Sequence, residues 1–143
     1  MKRIASILAM LAVLLAATVS LTSCSGDVSR DEAKEVTAAY FAAMATEQYG
    51  EAAALFHPAT SMTVEHMEST ADTLRTELGA NFTEGVTIEG YIGMRSAYYD
   101  SNFGGSVFEL TMEVMVGDKA LTVTTEVVRT DEGYGIWNVH YSK

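Results

Sequence analysis

Phe108-Glu109-Leu110-Thr111-Met112-Glu113-Val114-Met115-Val116 is followed by Gly117-Asp118, and then by Lys119-Ala120-Leu121-Thr122-Val123-Thr124-Thr125-Glu126-Val127. In the first run Phe108, Leu110, Met112, Val114 and Val116 alternate with Glu109, Thr111 and Glu113. Successive side chains of a strand point to opposite faces, so this run has one apolar face and one wet face. Leu121, Val123, Thr125 and Val127 repeat the alternation. Gly117-Asp118 between the runs fits a tight hairpin turn. The centre of the chain is therefore an antiparallel hairpin with one face turned to a core.

Working outward, Asp131-Glu132-Gly133 forms a second short turn, and Trp137, Val139 and Tyr141 face inward on a last strand. On the other side, Asp100 to Gly105 reads as a loop rich in Gly, Ser and Asn. Before it, Val86, Ile88, Ile92 and Met94 share one face of a strand that runs to about Tyr99, with Glu89, Tyr91 and Arg95 on the other. Val107, Met115, Val128 and Ile136 then fall on the outer face of the sheet, and such a face predicts a homodimer paired sheet to sheet.

Upstream of Asn81 the period is helical. Ser29-Arg30-Asp31-Glu32 has the form of a capping box, serine with glutamate three residues on. Val36, Ala39, Tyr40, Ala43 and Met44 then recur at helical spacing. A second helix runs from beyond Thr46 through Phe56 and stops at His57-Pro58, because the residue before proline avoids the helical region. A third starts near Ser61 or Thr63 and carries Val64, Met67, Ala71, Leu74 and Leu78, with Gly79 as its cap. Three helices and then four meandering strands make an α+β domain.

The first residues are of another kind. Lys2 and Arg3 precede an uncharged apolar run from Ile4 to Leu21, and small residues gather at Thr22, Ser23 and Cys24. This is the order of a secretory signal. A transmembrane helix of about 18 residues is the alternative, and the small residues and lone cysteine at its edge disfavour it. Leu21-Thr22-Ser23-Cys24 resembles the lipobox of bacterial lipoproteins. The resemblance implies that residues 1–23 are removed and that Cys24 carries a diacylglyceryl group. Two acyl chains, at ~0.8 kcal/mol per buried methylene, suffice for stable anchoring. Ser25, where an aspartate would signal inner-membrane retention, implies the outer membrane in a host that has one. Residues 24–28 are then a lipidated tether of about 15 Å reach, and residues 29–143 a single domain on the extracytoplasmic face.

Composition bounds the rest. The signal holds two of the nine basic residues and none of the nineteen acidic ones, so the remaining chain sets seven positive charges against nineteen negative, a net −12. That balance disfavours nucleic acid and docking on anionic lipid, and suits solubility. Cys24 is the only cysteine, so the monomer has no internal disulfide.

The domain resembles the nuclear-transport-factor-2-like superfamily, which includes SnoaL-like and cystatin-like members, and among them its small lipoproteins. The resemblance rests on Tyr40-Phe41-Ala42-Ala43, on Glu47-Gln48-Tyr49-Gly50-Glu51-Ala52-Ala53-Ala54-Leu55-Phe56-His57-Pro58, and on Gly135-Ile136-Trp137-Asn138-Val139. It implies three helices packed on a curved four-stranded antiparallel sheet, forming a cone in which many members bind a small apolar molecule. Residues 58–63 leave little room for the hairpin that fuller members carry there. The cystatin fold itself, a sheet wrapped on one long helix, is disfavoured by three helices.

Tyr40, Met44, Met67, Met94, Phe108, Met112 and Trp137 converge between helices and sheet as pocket candidates; the same stripe is equally what plain core looks like. Tyr98 and Tyr99 are placed to rim a pocket mouth or to pack across strands. His57, His66 and His140 read as capping or surface residues. No metal-ligand spacing, phosphate-binding glycine loop or nucleophile elbow is present, so no cofactor and no catalytic residue is expected. The expected function is a membrane-anchored lipoprotein acting as a non-catalytic binding or protein-interaction module. The alternative is a protein holding a small apolar ligand, with or without weak isomerase- or hydrolase-like activity.

Overall fold

The computed structural model describes residues 26–100 and 105–143, with only the backbone of 96–100. Helix α1, Arg30–Ala45, opens on the expected box. The Glu32 N–H donates to Ser29 Oγ at 3.2 Å, and the Ser29 N–H donates to the Glu32 carboxylate at 2.8 Å. Two otherwise orphaned amides are thereby satisfied, an arrangement worth about 1 kcal/mol. Ala33, Val36, Thr37, Tyr40, Phe41, Ala43 and Met44 form the buried stripe of α1. Helix α2, Tyr49–Ala54, ends earlier than expected, because Leu55 to His57 run beside the last strand through a parallel bridge between Phe56 and Ile136. Helix α3, Val64–Thr73, is capped by Thr63 and a His66 side chain that reaches back to the Thr63 N–H at 3.2 Å. One π turn, Leu74–Leu78, extends it to Gly79, whose φ of 68° suits glycine at a helix end. Met67 and Leu74 are buried, whereas Val64 is 44% exposed.

The sheet is a four-stranded antiparallel meander: β1 Val86–Asp100, β2 Gly105–Val116, β3 Lys119–Thr130 and β4 Gly133–Ser142. The central hairpin keeps the alternation read from sequence. Leu110 opposes Thr125, Met112 opposes Val123 and Val114 opposes Leu121, all buried.

The two edge strands depart from simple alternation. In β1 the register slips between Ile88 and Gly90 and again between Tyr91 and Gly93, so Glu89 and Ile92 are inserted residues. An inserted residue moves the downstream side chains to the other face. Tyr91 therefore lies opposite inward Met112 and packs on the core, while Ile92 is 58% exposed. Met94 regains the inner side opposite Leu110, but 44% of it is exposed. The expected shared buried face of Ile92 and Met94 is thus corrected. In β4 Trp137 is the inserted residue, and Ile136 turns inward opposite Val127 with no exposed surface.

Helix α1 touches β1, β2 and β4 and closes the inner side of the sheet. The resulting core joins Val36, Tyr40, Phe41 and Met44 of α1 to Leu110, Met112, Val114, Val123 and Val127 of the sheet. Phe56 meets Tyr40 edge-on, ring centres 5.8 Å apart. Gly135, at φ 157°, lets the Leu55–His57 segment approach β4. The His57 N–H donates to the Ile136 carbonyl at 2.8 Å, and the Ile136 N–H to the Leu55 carbonyl at 2.9 Å.

Candidate functional site

The seven pocket candidates separate into three places. Tyr40, Met44, Met67 and Met112 are 0–2% exposed and packed as core. Met94 instead lines a shallow, open depression of about 600 Å³ with Ser29, Arg30 and Asp31 at the start of α1, and Phe108, 6% exposed and part of the core, forms part of its wall. Trp137 is half-buried elsewhere, its ring 5.6 Å from that of His57. The single convergent pocket expected from sequence is therefore not formed by these residues.

Among the described residues the buried Thr37, Thr125, His57 and Ser106 each have a hydrogen-bond partner, whereas the buried Arg129 Nε has none. Thr37 and Thr125, both without exposed surface, join hydroxyls at 3.1 Å. The Tyr40 and Tyr141 hydroxyls meet at 2.7 Å. Burial pushes the Tyr40 pKa up to about 12 and that of Tyr141 well above the usual value. Hydroxyls with raised pKa stay protonated at neutral pH and pair with each other, so they read as an internal tie.

His57 is 1% exposed, so it is not a surface residue, and it caps the start of the 3-10 turn Pro58–Thr60 where a role at the preceding helix C-terminus was expected. Its Nδ1 accepts the Ala59 N–H at 3.1 Å, which leaves the proton on Nε2 to donate to Thr130 Oγ1 at 2.9 Å. His66 caps α3, and His140 is exposed on β4 opposite Thr124. Among the described residues no group of three or more His, Cys, Asp or Glu is placed to hold a metal ion.

Of the four apolar residues expected among the polar ones on the outer sheet face, little is presented to solvent. Val107, Val128 and Ile136 expose nothing, and Met115 is half-buried. What the face presents is a cross-strand row Arg95, Glu109, Glu126, Asn138 and, beside it, Gly93, Thr111, Thr124, His140. Thr111 and Thr124 hydroxyls are 3.1 Å apart. Glu109 lies directly opposite Glu126, and such like-charge pairing does not favour the sheet.

The chain matches no known protein family, curated protein or solved structure. Among the described residues no helix is long and apolar enough to cross a membrane. Cys24 and residues 1–23, where the sequence predicts an export signal, lie outside the described residues, as do the Tyr98 and Tyr99 side chains.

Sequence reasoning missed the feature that joins the two ends of the fold. Residues 26–28 lie on the domain instead of hanging free. Arg129 donates to the Gly26 and Asp27 carbonyls at 3.4 and 3.3 Å and to the Glu32 carboxylate at 2.8 Å, and its guanidinium sits 4.8 Å from the Tyr134 ring centre. The Val28 N–H donates to Ser106 Oγ at 3.0 Å, and the Val28 side chain is 1% exposed. The Arg129 bond holds the Glu32 carboxyl below its usual pKa. The available sequence signal was Arg129 itself, the one basic residue of β3 between its first position and the following turn.

Proposed function

We propose that the chain is a bacterial lipoprotein, anchored on the extracytoplasmic face of a membrane through Cys24, whose single nuclear-transport-factor-2-like domain is a non-catalytic protein-interaction module. The lipobox pattern at Leu21–Cys24 supports the anchor. The observation that carries the module is the packed interior: Tyr40, Met44, Met67 and Met112 take the space a cone-binding relative would leave for a ligand. The interaction surface is then the outer face of the sheet. Pairing two copies through it would bring Glu109, Glu113 and Glu126 of each together, so the partner is a different, cationic protein surface. For the alternative of a small apolar ligand, the depression at Met94 and Phe108 is a place to act.

The test is the intact mass of the protein purified from a bacterial envelope. The expected product is a chain that begins at Cys24 and carries a diacylglyceryl group, and a Cys24→Ser variant that loses it. An unprocessed chain, or an unmodified Cys24, contradicts the anchor. Binding of a soluble apolar dye by the wild type, abolished in Met94→Asp, would move the assignment to the alternative.

A further inference from the structure

We propose that the anchored domain does not swivel on its lipid but is held with one end toward the bilayer, by the clamp of Arg129, Ser106 and Tyr134 on residues 26–28. This rests on the lipidation of Cys24 proposed above. The partner surface is the lipid headgroup layer, and what argues for it is that residues 26–28, next in sequence to Cys24, are packed on the domain.

A free tether from Cys24 to Ser29 would span about 17 Å, enough for the domain to turn over on it. The clamp shortens that length. Arg129 holds both carbonyls of Gly26 and Asp27, Ser106 holds the Val28 amide, and the buried Val28 side chain anchors the segment between them. The Arg129 side chain is 15% exposed, fixed on one side by Glu32 and on the other by the Tyr134 ring. Tyr134 is held in turn by donating to the Glu32 carbonyl at 3.1 Å. From Cys24 to the first held carbonyl, at Gly26, a chain of two residues reaches about 7 Å.

Every clamp residue lies at one end of the sheet. Ser106 opposes Arg129, and Thr130 leads into the Asp131–Glu132 turn. The opposite end, at Lys119 and Ala120, is about 36 Å away along β3. An anchor with a reach of about 7 Å keeps the clamp end at the headgroups, and repulsion between the acidic surface and anionic lipid keeps the domain from lying flat on it. The rim at the clamp end carries Asp27, Asp31, Asp131 and Glu132, all exposed, so this end meets the headgroups without entering the hydrocarbon. The outer sheet face then stands clear of the bilayer, open to a partner.

The experiment uses the full chain, processed and lipidated in a bacterial host and reconstituted in vesicles of phosphatidylcholine with phosphatidylglycerol. With Cys24 acylated, a cysteine introduced by Asp131→Cys or Ala120→Cys is the only free thiol, and both positions are exposed. Each is labelled with an environment-sensitive dye and read against a headgroup-linked quencher. The expected result is quenching at position 131 roughly threefold stronger than at position 120, given the length of β3 between them. Inserting six Gly-Ser residues between Ser25 and Gly26, which leaves the fold untouched, shrinks that difference. Arg129→Gln shrinks it too, with an unchanged circular dichroism spectrum. Equal quenching at the two positions in protein that floats with the vesicles overturns the inference while leaving the anchor intact. Protein that carries no lipid and does not float overturns the anchoring reading, and this inference with it.

Discussion

Raising the pH should unfold this protein through the tyrosine pair of its core. Tyr40 is 1% exposed and shares a 2.7 Å hydrogen bond with Tyr141. Desolvation lifts its pKa from 10.0 to about 12, against a smaller opposing effect of the Tyr141 bond. Between those values the unfolded chain has released the proton and the folded chain has not. The unfolded state therefore binds fewer protons, and stability falls as pH rises. Below pH 10 the contribution is complete; by pH 12 a pKa difference of two corresponds to a loss of about 2.7 kcal/mol. Tyr141, raised in the same direction, adds to the loss. The assay is urea unfolding at steps from pH 8 to pH 12, with phenolate absorbance followed on the native protein. Tyr40→Phe should cost about 1–2 kcal/mol at pH 7, because the Tyr141 hydroxyl loses its partner, and should flatten the alkaline slope. If the Tyr40 phenol ionised near pH 10 with no loss of stability, the interior would be wet and the idea of a packed core would be wrong.

Gly135→Ala should cost about 3 kcal/mol, measured by urea unfolding: a Cβ there would lie 2.6 Å from the His57 nitrogen and the Phe56 carbonyl carbon, so the two hydrogen bonds to β4 would be lost on top of the strain at φ 157°. A cost below half a kcal/mol would mean that the 55–57 segment docks loosely. Thr37→Val alone should cost about 1–3 kcal/mol by stranding the Thr125 hydroxyl, and Thr37→Val with Thr125→Val should recover most of it; additive losses in the double variant would refute the pairing. Glu32, whose pKa is lowered chiefly by its Arg129 bond, stabilises the fold above pH 4.5, and that contribution is lost as pH falls through the depressed value. With the Glu32 side chain 41% exposed, Glu32→Gln should remove only about 0.2–1 kcal/mol at pH 7 and flatten the acid limb; an unchanged acid limb would show that the pair is screened out.

The parts of this fold that obey local rules were legible. The capping box at Ser29, the hairpin at Gly117-Asp118 and the strict alternation of β2 and β3 each come from one period or one turn type, and the folded chain keeps them. What was lost lies where a strand gains a residue. The insertions at Glu89 and Ile92 shift the β1 alternation, and Trp137 does the same to β4. Glycines inside strands are the warning sign, since they mark bulges and close approach: Gly90 and Gly93 adjoin the β1 insertions, and Gly135 lies two residues before Trp137. Which side the slip favours is decided by what must pack on α1, and periodicity along one strand carries no such information. Pocket and plain core stayed equal readings of the apolar stripe for the same reason. An apolar stripe says which side chains turn inward, not whether they meet; Tyr40, Met44, Met67 and Met112 do, and Met94 and Trp137 do not. The docking of residues 26–28 needed a contact about a hundred residues away in sequence, between Gly26 and Arg129, which no local pattern encodes.

A filled interior, with the protein working through its surface, is best tested by native mass spectrometry of the lipidated protein taken gently from its own membrane. The predicted mass is explained by the chain from Cys24 and its acyl groups alone, and is unchanged after mild denaturation and refolding. A further small molecule that leaves only when the domain unfolds would contradict this, because the space now assigned to Tyr40, Met44 and Met112 would then have to open around a ligand.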